Sequence, residues 1–387
     1  KNNSTFDWQR TNSCKIWRDH RMNTRKITLL GPQGTNIFIL LIFLFFIFIS
    51  WFTLFTLTDF EGLEFDVDNI LTRQVVFSVA SIVVFFLLTY LSIDNLQNYA
   101  NILFFIVVGL LGSLYFTQPR LGVRRWFDLG PIDIQPSEFA KVIIVVFVAN
   151  YLSRNLNKGI LIILIFGTVL LINFQPDLGT ALIISFVFLS MLLLSNIKLR
   201  YISLLLLMGI SLFFIFLEIG SRLDNVNIVT QYQISRLNEF FSADLDFSQS
   251  QSRLLISSGG LFGQYFAAEN IDKVFVPVET TDFIFAAYAY NFGFFGILFL
   301  LSLWGLLFSR LRRILTVSDS DFDKFVIAGF IALLSFQIII NISTVVGLIP
   351  VTGLPFPLLS LGGSSMVSIA VIFGITNRIF IENNITI

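Results

Sequence analysis

Apolar segments about as long as a bilayer is thick constrain the fold of this chain more than any other feature. An α-helix rises about 1.5 Å per residue, so roughly 20 apolar residues cross the hydrocarbon core. Segments of this kind lie at about 37–58, 75–93, 101–116, 138–153, 160–174, 179–196, 201–218, 283–309, 325–348 and 362–381. Charged residues make up only 13% of the 387 residues. The sequence therefore predicts an all-α, polytopic integral membrane protein with about ten transmembrane helices.

The basic residues predict how this array is oriented. They fall in alternate connections between the apolar segments, at Arg25, Lys26, Arg154, Lys158, Lys198, Arg200, Arg310, Arg312, Arg313 and Arg378. By the positive-inside rule these connections and both termini are cytoplasmic. The longest polar stretch, at about 219–281 between helices 7 and 8, then becomes a large extracytoplasmic loop.

A single membrane domain at 37–381 is expected to follow a cytoplasmic segment at 1–36. Met22 is a candidate start, so residues 1–21 are interpreted as a stretch that need not be native. Cys14 and His20 are the only cysteine and histidine, and both precede Met22. This inventory argues against thiol nucleophiles, histidine bases and zinc sites. No motif demands a cofactor, and a divalent cation such as Mg or Mn would have to be bound by oxygen ligands alone.

The first candidate for chemistry is Asp282, at the predicted outer end of the eighth span. Burying a carboxylate at this depth costs at least about 2.5 kcal/mol, so a functional role is the first interpretation. The alternative is that Asp282 caps its own helix.

Two outer loops add candidate binding groups. The loop at 117–137 carries three arginines beside Trp126, namely Arg120, Arg124 and Arg125. Guanidinium groups bind phosphate oxygens in pairs, which suggests an anion clamp; local pairing with Asp128 is the alternative. In the long loop, an amphipathic piece at 252–261 with neighbouring glycines permits close approach of a ligand; a re-entrant or interfacial helix is the alternative.

Helix-breaking segments interrupt the apolar sequence at 175–177, 350–357 and 362–365. Irregular backbone at membrane depth needs shelter by protein or a water-filled cavity. Together with Glu138 and Lys141, one turn apart, these segments predict a polar cavity that opens outward. A structural salt bridge is the alternative for this pair. No internal repeat is evident, which argues against an inverted-repeat transporter.

Six motifs at about 100–370 resemble, in family order, the SEDS proteins of shape, elongation, division and sporulation. In chain order they are Gly122-Val123-Arg124-Arg125-Trp126; Gln135-Pro136-Ser137-Glu138 with Lys141; Gln175-Pro176-Asp177-Leu178-Gly179-Thr180; Gln251-Ser252 with Ser258-Gly259-Gly260-Leu261; Thr281-Asp282-Phe283-Ile284-Phe285; and Gly347-Leu348 with 350–357, Ser360 and Gly362-Gly363-Ser364-Ser365. The segment at 351–357 is more similar to the elongation branch, RodA, than to the division branch, FtsW.

The resemblance implies a peptidoglycan glycosyltransferase of the bacterial inner membrane that polymerises lipid II, with Asp282 as the catalytic base. Substrate-binding residues implied by the motifs and by the outer position of basic groups are Arg124, Arg125, Trp126, Glu138, Lys141, Arg236, Gln251, Ser252, Thr281, Ser364 and Ser365. The implied partners are a class B penicillin-binding protein, which is a transpeptidase, and other membrane proteins of the elongation complex. No nucleic acid is expected. The surface of the ninth span around Phe325, Phe330, Phe336 and Ile339 is a candidate docking face for the transpeptidase helix; contact with lipid alone is the alternative.

The chain departs from the family pattern around Asp282. Thr280 stands where the family usually has His, and Tyr290-Asn291 replaces a Glu-Glu pair. Leu361 replaces the Tyr of the Ser-Tyr-Gly-Gly motif. Three alternative functions therefore stay open: a lipid-linked precursor flippase or other transporter, a division-type polymerase, and a noncatalytic cell-wall scaffold.

Overall fold

The computed structural model describes residues 36–57, 70–118, 124–128, 130, 133–175, 177–195, 247–265, 276 and 280–383. The α-helices in this part of the chain are α1 (Ile37–Phe55), α2 (Ile70–Tyr90), α3 (Ile93–Ser113), α4 (Pro136–Ser153), α5 (Lys158–Asn173), α6 (Leu178–Leu194), α7 (Phe247–Ser258), α8 (Ile284–Val317), α9 (Asp321–Val345) and α10 (Gly363–Glu382). A 3₁₀ turn at Leu114–Phe116 follows α3. Strands β1 (Phe127–Asp128) and β2 (Asp133–Ile134) form an antiparallel hairpin before α4.

The predicted fold class is confirmed. Among the described residues, 7 helices are long and apolar enough to cross a membrane, and α5 and α6 are shorter apolar helices of 16 and 17 residues. These nine helices coincide with predicted spans, whereas the predicted span at 201–218 and most of the predicted loop at 219–281 lie outside the described residues. The protein is therefore a multi-pass membrane protein.

The start of α3 differs from the prediction, which put the span at 101–116. The helix begins at Ile93, because its first two turns carry polar residues that lower hydropathy without breaking the helix. Asp94 in the first turn also interacts favourably with the helix dipole. Hydropathy marks the part of a helix that lies in hydrocarbon, not the whole helix.

Helices α4 and α10 form the centre of the bundle. In their most apolar windows, 78% and 72% of residues are buried, against 22%, 28% and 22% for α2, α3 and α8. α4 packs against α3, α5, α6, α9 and α10, and α10 packs mainly against α2. Because lipid tails are as apolar as the side chains, the hydrophobic effect does not drive helices together in a membrane, and close packing has to stabilise these contacts. At Gly374 of α10, for example, an added Cβ would lie 2.8 Å from the Phe85 carbonyl oxygen on α2.

A break in α8 is bridged by the loop that follows α7. Gly293 has φ 65° and ψ −165°, which interrupts the helical hydrogen bonds around it. The amides of Gln264 and Tyr265 donate to the carbonyls of Tyr290 and Asn291, at 2.9 and 3.2 Å. In return, the Phe294 and Phe295 amides donate to loop carbonyls at 2.9 and 3.1 Å. The loop therefore satisfies backbone groups that hydrocarbon could not.

Glycines make this contact possible. An added Cβ at Gly263 would meet the Asn291 carbonyl, and one at Gly259 would lie 2.9 Å from the Tyr290 Cα. The close approach that the sequence assigned to a ligand is made here to the backbone of α8.

Candidate functional site

The turn that carries Asp282 is held by hydrogen bonds to three of its backbone carbonyls. The Leu361 amide donates to Thr280 O at 2.9 Å, and the Ser360 hydroxyl donates to Thr281 O at 2.6 Å. Asn341 Nδ2 donates to Asp282 O at 2.9 Å. Phe283, not Asp282, occupies the N-cap position of α8. Asp282 as a residue is half-buried, so these three hydrogen bonds fix the backbone of an aspartate that is only partly shielded from its surroundings.

Two amide side chains on α9 connect this turn to the segment at 350–361. Asn341 Nδ2 also donates to Leu354 O at 2.7 Å, and Gln337 Nε2, one turn earlier, donates to Pro355 O at 2.9 Å. Both side chains are almost completely buried, at 1% exposure each. These hydrogen bonds satisfy carbonyls of a non-helical segment, as irregular backbone at membrane depth requires.

A buried ion pair lies on α4. Lys141 Nζ is 2.9 Å from Glu138 Oε1, with side-chain exposures of 2% and 3%. Lys141 Nζ also lies 3.5 Å from Gln337 Oε1, and the Ser368 hydroxyl of α10 lies 3.4 Å from Glu138 Oε2. Glu138 and Lys141 therefore form the salt bridge that was the alternative interpretation of this pair. Gln337 places the pair next to the segment that flanks Asp282.

The predicted arginine clamp lies at the hairpin before α4. Arg124 is exposed, and its Nη1 donates to Tyr115 O at 2.7 Å. Arg125 is half-buried, and its Nε donates to Gln175 O at 3.2 Å. Trp126 is half-buried as well. Both guanidinium groups are thus hydrogen-bonded to backbone carbonyls, which restricts their orientation. Binding of an anion by these arginines stays a prediction.

The start of α10 packs against the same hairpin. The Ser364 hydroxyl donates to Asp133 O at 3.2 Å and accepts a hydrogen bond from the Gln135 amide at 2.9 Å. Ser365 is buried one residue later. The predicted breaker at 362–365 is therefore a helix start, because α10 begins at Gly363.

The predicted break at 175–177 separates α5 from α6. Asp177 is the N-cap of α6, with Oδ1 accepting from the Thr180 amide at 3.2 Å and Oδ2 from the Ser137 hydroxyl at 3.0 Å. At Gly179, an added Cβ would lie 2.8 Å from Thr352 O. The segment that flanks Asp282 therefore packs directly on the first turn of α6.

The structure brings some of the predicted site residues together and not others. Asp282, Thr281, Glu138 and Lys141 are joined by the contacts of α9 and the segment at 350–361. Ser364 contacts β2 and the residue before α4, and it thereby connects the hairpin to the helix that carries Glu138 and Lys141.

Gln251 and Ser252 lie on α7. Ser252 is fully buried, and its hydroxyl donates to Val345 O at 2.7 Å, at the end of α9. Gln251 is half-buried. Arg236 lies outside the described residues. The assignment of these residues to substrate binding stays a prediction.

Sequence reasoning missed Gln337 and Asn341. Both are polar amides four residues apart within an apolar span, which places them on one face of a helix. Polar side chains inside a membrane helix face the bundle interior and mark functional regions. This spacing could have identified them from the sequence.

The described residues contain no group of three or more His, Cys, Asp or Glu side chains that could hold a metal ion. The divalent cation stays an expectation of the sequence alone.

The candidate docking face on α9 stays a prediction for the half-buried Phe325 and Phe336 and the exposed Ile339, whereas Phe330 does not belong to it. Phe330 is fully buried, and Phe336 stacks on Phe186 of α6 with ring centroids 4.1 Å apart. Ile339, at 58% exposure, does face outward. The positions of the phenylalanines in the sequence did not show which face of this helix packs against protein and which face points away from the bundle.

Three hydrogen bonds hold the turn of Asp282, and Gln337 links the segment that flanks this turn to the buried ion pair of α4. This is a multi-pass membrane protein with a polar site built around non-helical segments. The family model described as cell cycle protein, covering FtsW, RodA and SpoVE, matches residues 34–385. The chain belongs to this family.

Curated relatives agree with this assignment. The peptidoglycan glycosyltransferase MrdB of Escherichia coli is 33% identical over 296 residues, covering 73% of this chain and 78% of the relative. MrdB of Helicobacter pylori is 32% identical over 321 residues, covering 79% and 82%. Stage V sporulation protein E of Bacillus subtilis is 30% identical over 319 residues, covering 78% and 84%.

Solved structures share the fold. A chain from a peptidoglycan synthase complex, described for its coordination of polymerization and crosslinking, superposes with a TM-score of 0.71 at 25% identity, covering 91% of this chain and 99% of that one. The rod shape determining protein RodA of Thermus thermophilus gives a TM-score of 0.67 at 23% identity, covering 92% and 99%.

Proposed function

We propose that this chain is a peptidoglycan glycosyltransferase that polymerises lipid II into glycan strands for cell elongation, with Asp282 as the general base. The single observation that carries the proposal is the half-buried Asp282 on a turn whose backbone carbonyls are hydrogen-bonded to the bundle. Membership of the family and relatives named peptidoglycan glycosyltransferase support the reaction class.

The reaction needs a base and positive charge. The acceptor hydroxyl loses its proton to Asp282 as its oxygen attacks the anomeric carbon of the donor sugar, and undecaprenyl pyrophosphate leaves. General-base help of this kind contributes about 10²- to 10⁴-fold. Arg124 and Arg125 would stabilise the negative charge that develops on the pyrophosphate. Arg236 is a further candidate for this role.

The proposed location is the bacterial inner membrane, with both termini in the cytoplasm and Asp282 at the outer face. The positive-inside bias supports this orientation. It is tested by replacing Cys14 with Ser, introducing a cysteine at position 124, and labelling intact cells with a reagent that does not cross the membrane. Labelling only after permeabilisation would reverse the orientation.

We extend the proposal to a class B penicillin-binding protein as partner. The fold match to a chain from a complex that couples polymerization and crosslinking supports it. Crosslinking of cells and purification of the chain should recover a single-span transpeptidase. Recovery of the chain alone, with full polymerase activity, would show that it works without such a partner.

The reaction itself is tested by supplying lipid II to the purified chain and its co-purified partner in liposomes. The wild type should form glycan, and Asp282→Asn should lower the rate by at least about 100-fold. Asp321→Asn is the matched control, since Asp321 is 70% exposed and pairs only loosely with Lys324 at 3.6 Å. A wild type that forms no glycan would favour the scaffold or transporter alternatives, and an active Asp282→Asn variant would remove Asp282 as the base.

A further inference from the structure

Asn341 uses one amide nitrogen to join two segments that are far apart in the chain. Its Nδ2 donates to Asp282 O at 2.9 Å and to Leu354 O at 2.7 Å. A primary amide has two N–H groups, so both are used in these bonds. The side chain is 1% exposed, which leaves little room for it to adopt another rotamer.

These two bonds fix the position of Asp282 relative to the segment at 350–361. The first bond holds the main-chain carbonyl of Asp282 itself. Gly353, next to the Leu354 anchor, has φ 71°, and a Cβ added there would lie 3.9 Å from Asp282 Oδ2. The same amide therefore positions the carboxylate and the backbone that flanks it.

The position of Asn341 is itself supported from the centre of the bundle. Gln337, one turn earlier on α9, donates to Pro355 O at 2.9 Å and lies 3.5 Å from Lys141 Nζ of the buried ion pair. Side chains four residues apart on a helix lie on the same face. A single face of α9 thus carries the contacts that link the ion pair of α4, the segment at 350–361 and the turn of Asp282.

We infer that Asn341 is a positioning residue for the proposed polymerisation reaction, acting through the main chain of Asp282. The inference rests on the proposed function of Asp282. A general base has to lie within hydrogen-bond reach of the hydroxyl it deprotonates. A displacement of about 1 Å from that geometry can cost about 100-fold in rate. Loss of the Asn341 amide keeps the Asp282 carboxylate in the protein but removes the hydrogen bond that holds the Asp282 carbonyl, so the carboxylate can shift from its position.

The test compares three variants in the full chain with its co-purified partner in liposomes, by glycan formation over a range of lipid II concentrations. Asn341→Ala should lower kcat by about 10- to 100-fold with KM changed by less than about 3-fold, because position and not substrate affinity is altered. Asn341→Leu keeps roughly the size of the side chain and removes both N–H donors, so it should lose as much kcat as Asn341→Ala.

Gln249→Ala is the matched control. Gln249 Nε2 also donates to two carbonyls, Thr344 O and Ile349 O, both at 2.8 Å, and the side chain is 2% exposed. This variant should lower the melting temperature about as much as Asn341→Ala, while its kcat stays within about 3-fold of wild type.

The outcomes separate the inference from the function on which it rests. If the wild type polymerises lipid II but Asn341→Ala and Gln249→Ala lose the same kcat, loosening of the fold explains both, and the positioning role is wrong. The same conclusion follows if Asn341→Leu retains wild-type kcat, or if Asn341→Ala changes KM alone. A wild type without activity would overturn the proposed function and the inference with it.

Discussion

Lys141 Nζ lies 2.9 Å from Glu138 Oε1 on α4, and these side chains are only 2% and 3% exposed. Two charges are thus held in the most buried of the candidate membrane spans among the described residues. The attraction between them offsets the cost of taking them out of water only when both are present. The Ser368 hydroxyl and the Gln337 side chain add polar contacts to the pair.

We expect Lys141→Met to destabilise the protein by about 3–5 kcal/mol, because it leaves the Glu138 carboxylate buried without its partner. Thermal unfolding of the purified chain in detergent measures the effect. The double variant Glu138→Gln/Lys141→Met should recover most of the stability. A double variant that is stable but forms no glycan would indicate that the pair also serves the substrate, whereas a single variant as stable as wild type would contradict the ion-pair argument.

We expect Gly293→Ala to destabilise the N-terminal part of α8 by about 1–3 kcal/mol, since φ 65° is strained for alanine. The new Cβ would also lie 2.6 Å from Leu261 O. Gly305→Ala, further along the same helix with nothing within 4 Å of an added Cβ, should be neutral or slightly stabilising. The melting temperatures of the two variants test this prediction. Equal values would argue against a structural role for the break at Gly293.

We expect Gly179→Ala to reduce glycan formation by about 10-fold, because even a small displacement near a reacting group is costly. The added Cβ would lie 2.7 Å from the Leu354 side chain and 2.8 Å from Thr352 O, so the segment at 350–361 has to move. Gly167→Ala, with nothing within 4 Å, is the control. Unchanged activity in Gly179→Ala would mean that this segment tolerates displacement.

We expect Arg124→Ala and Arg125→Ala each to raise the KM for lipid II by about 10-fold, the effect of losing one charge-assisted hydrogen bond of about 1.5 kcal/mol. Lysine at either position keeps the charge without the paired donors, so its KM should be intermediate. Arg313→Ala, an exposed arginine near the other end of α8, should leave KM unchanged. Wild-type KM in both alanine variants would remove the clamp from the proposal.

The sequence alone determined the fold class and most of the spans. Exposing backbone polar groups and charges to hydrocarbon costs free energy at each residue, so a spanning segment has to be an apolar run about as long as the bilayer is thick. It also identified Asp282 as the carboxylate at the end of a span, and the breaks at 175–177 and 350–357. These features depend on a residue and its immediate neighbours.

Only the tertiary structure decided which groups meet. Asn341 bonds to a carbonyl 59 residues away, and the break in α8 is bridged by the loop after α7. Phe330 and Ile339 lie on the same apolar helix, yet one is buried and the other faces outward. Hydropathy is the same for a residue that packs against protein and one that faces lipid, so the sequence pattern could not distinguish them. Hydrogen bonds between distant segments depend on how the helices pack, and that packing exists only in the folded bundle.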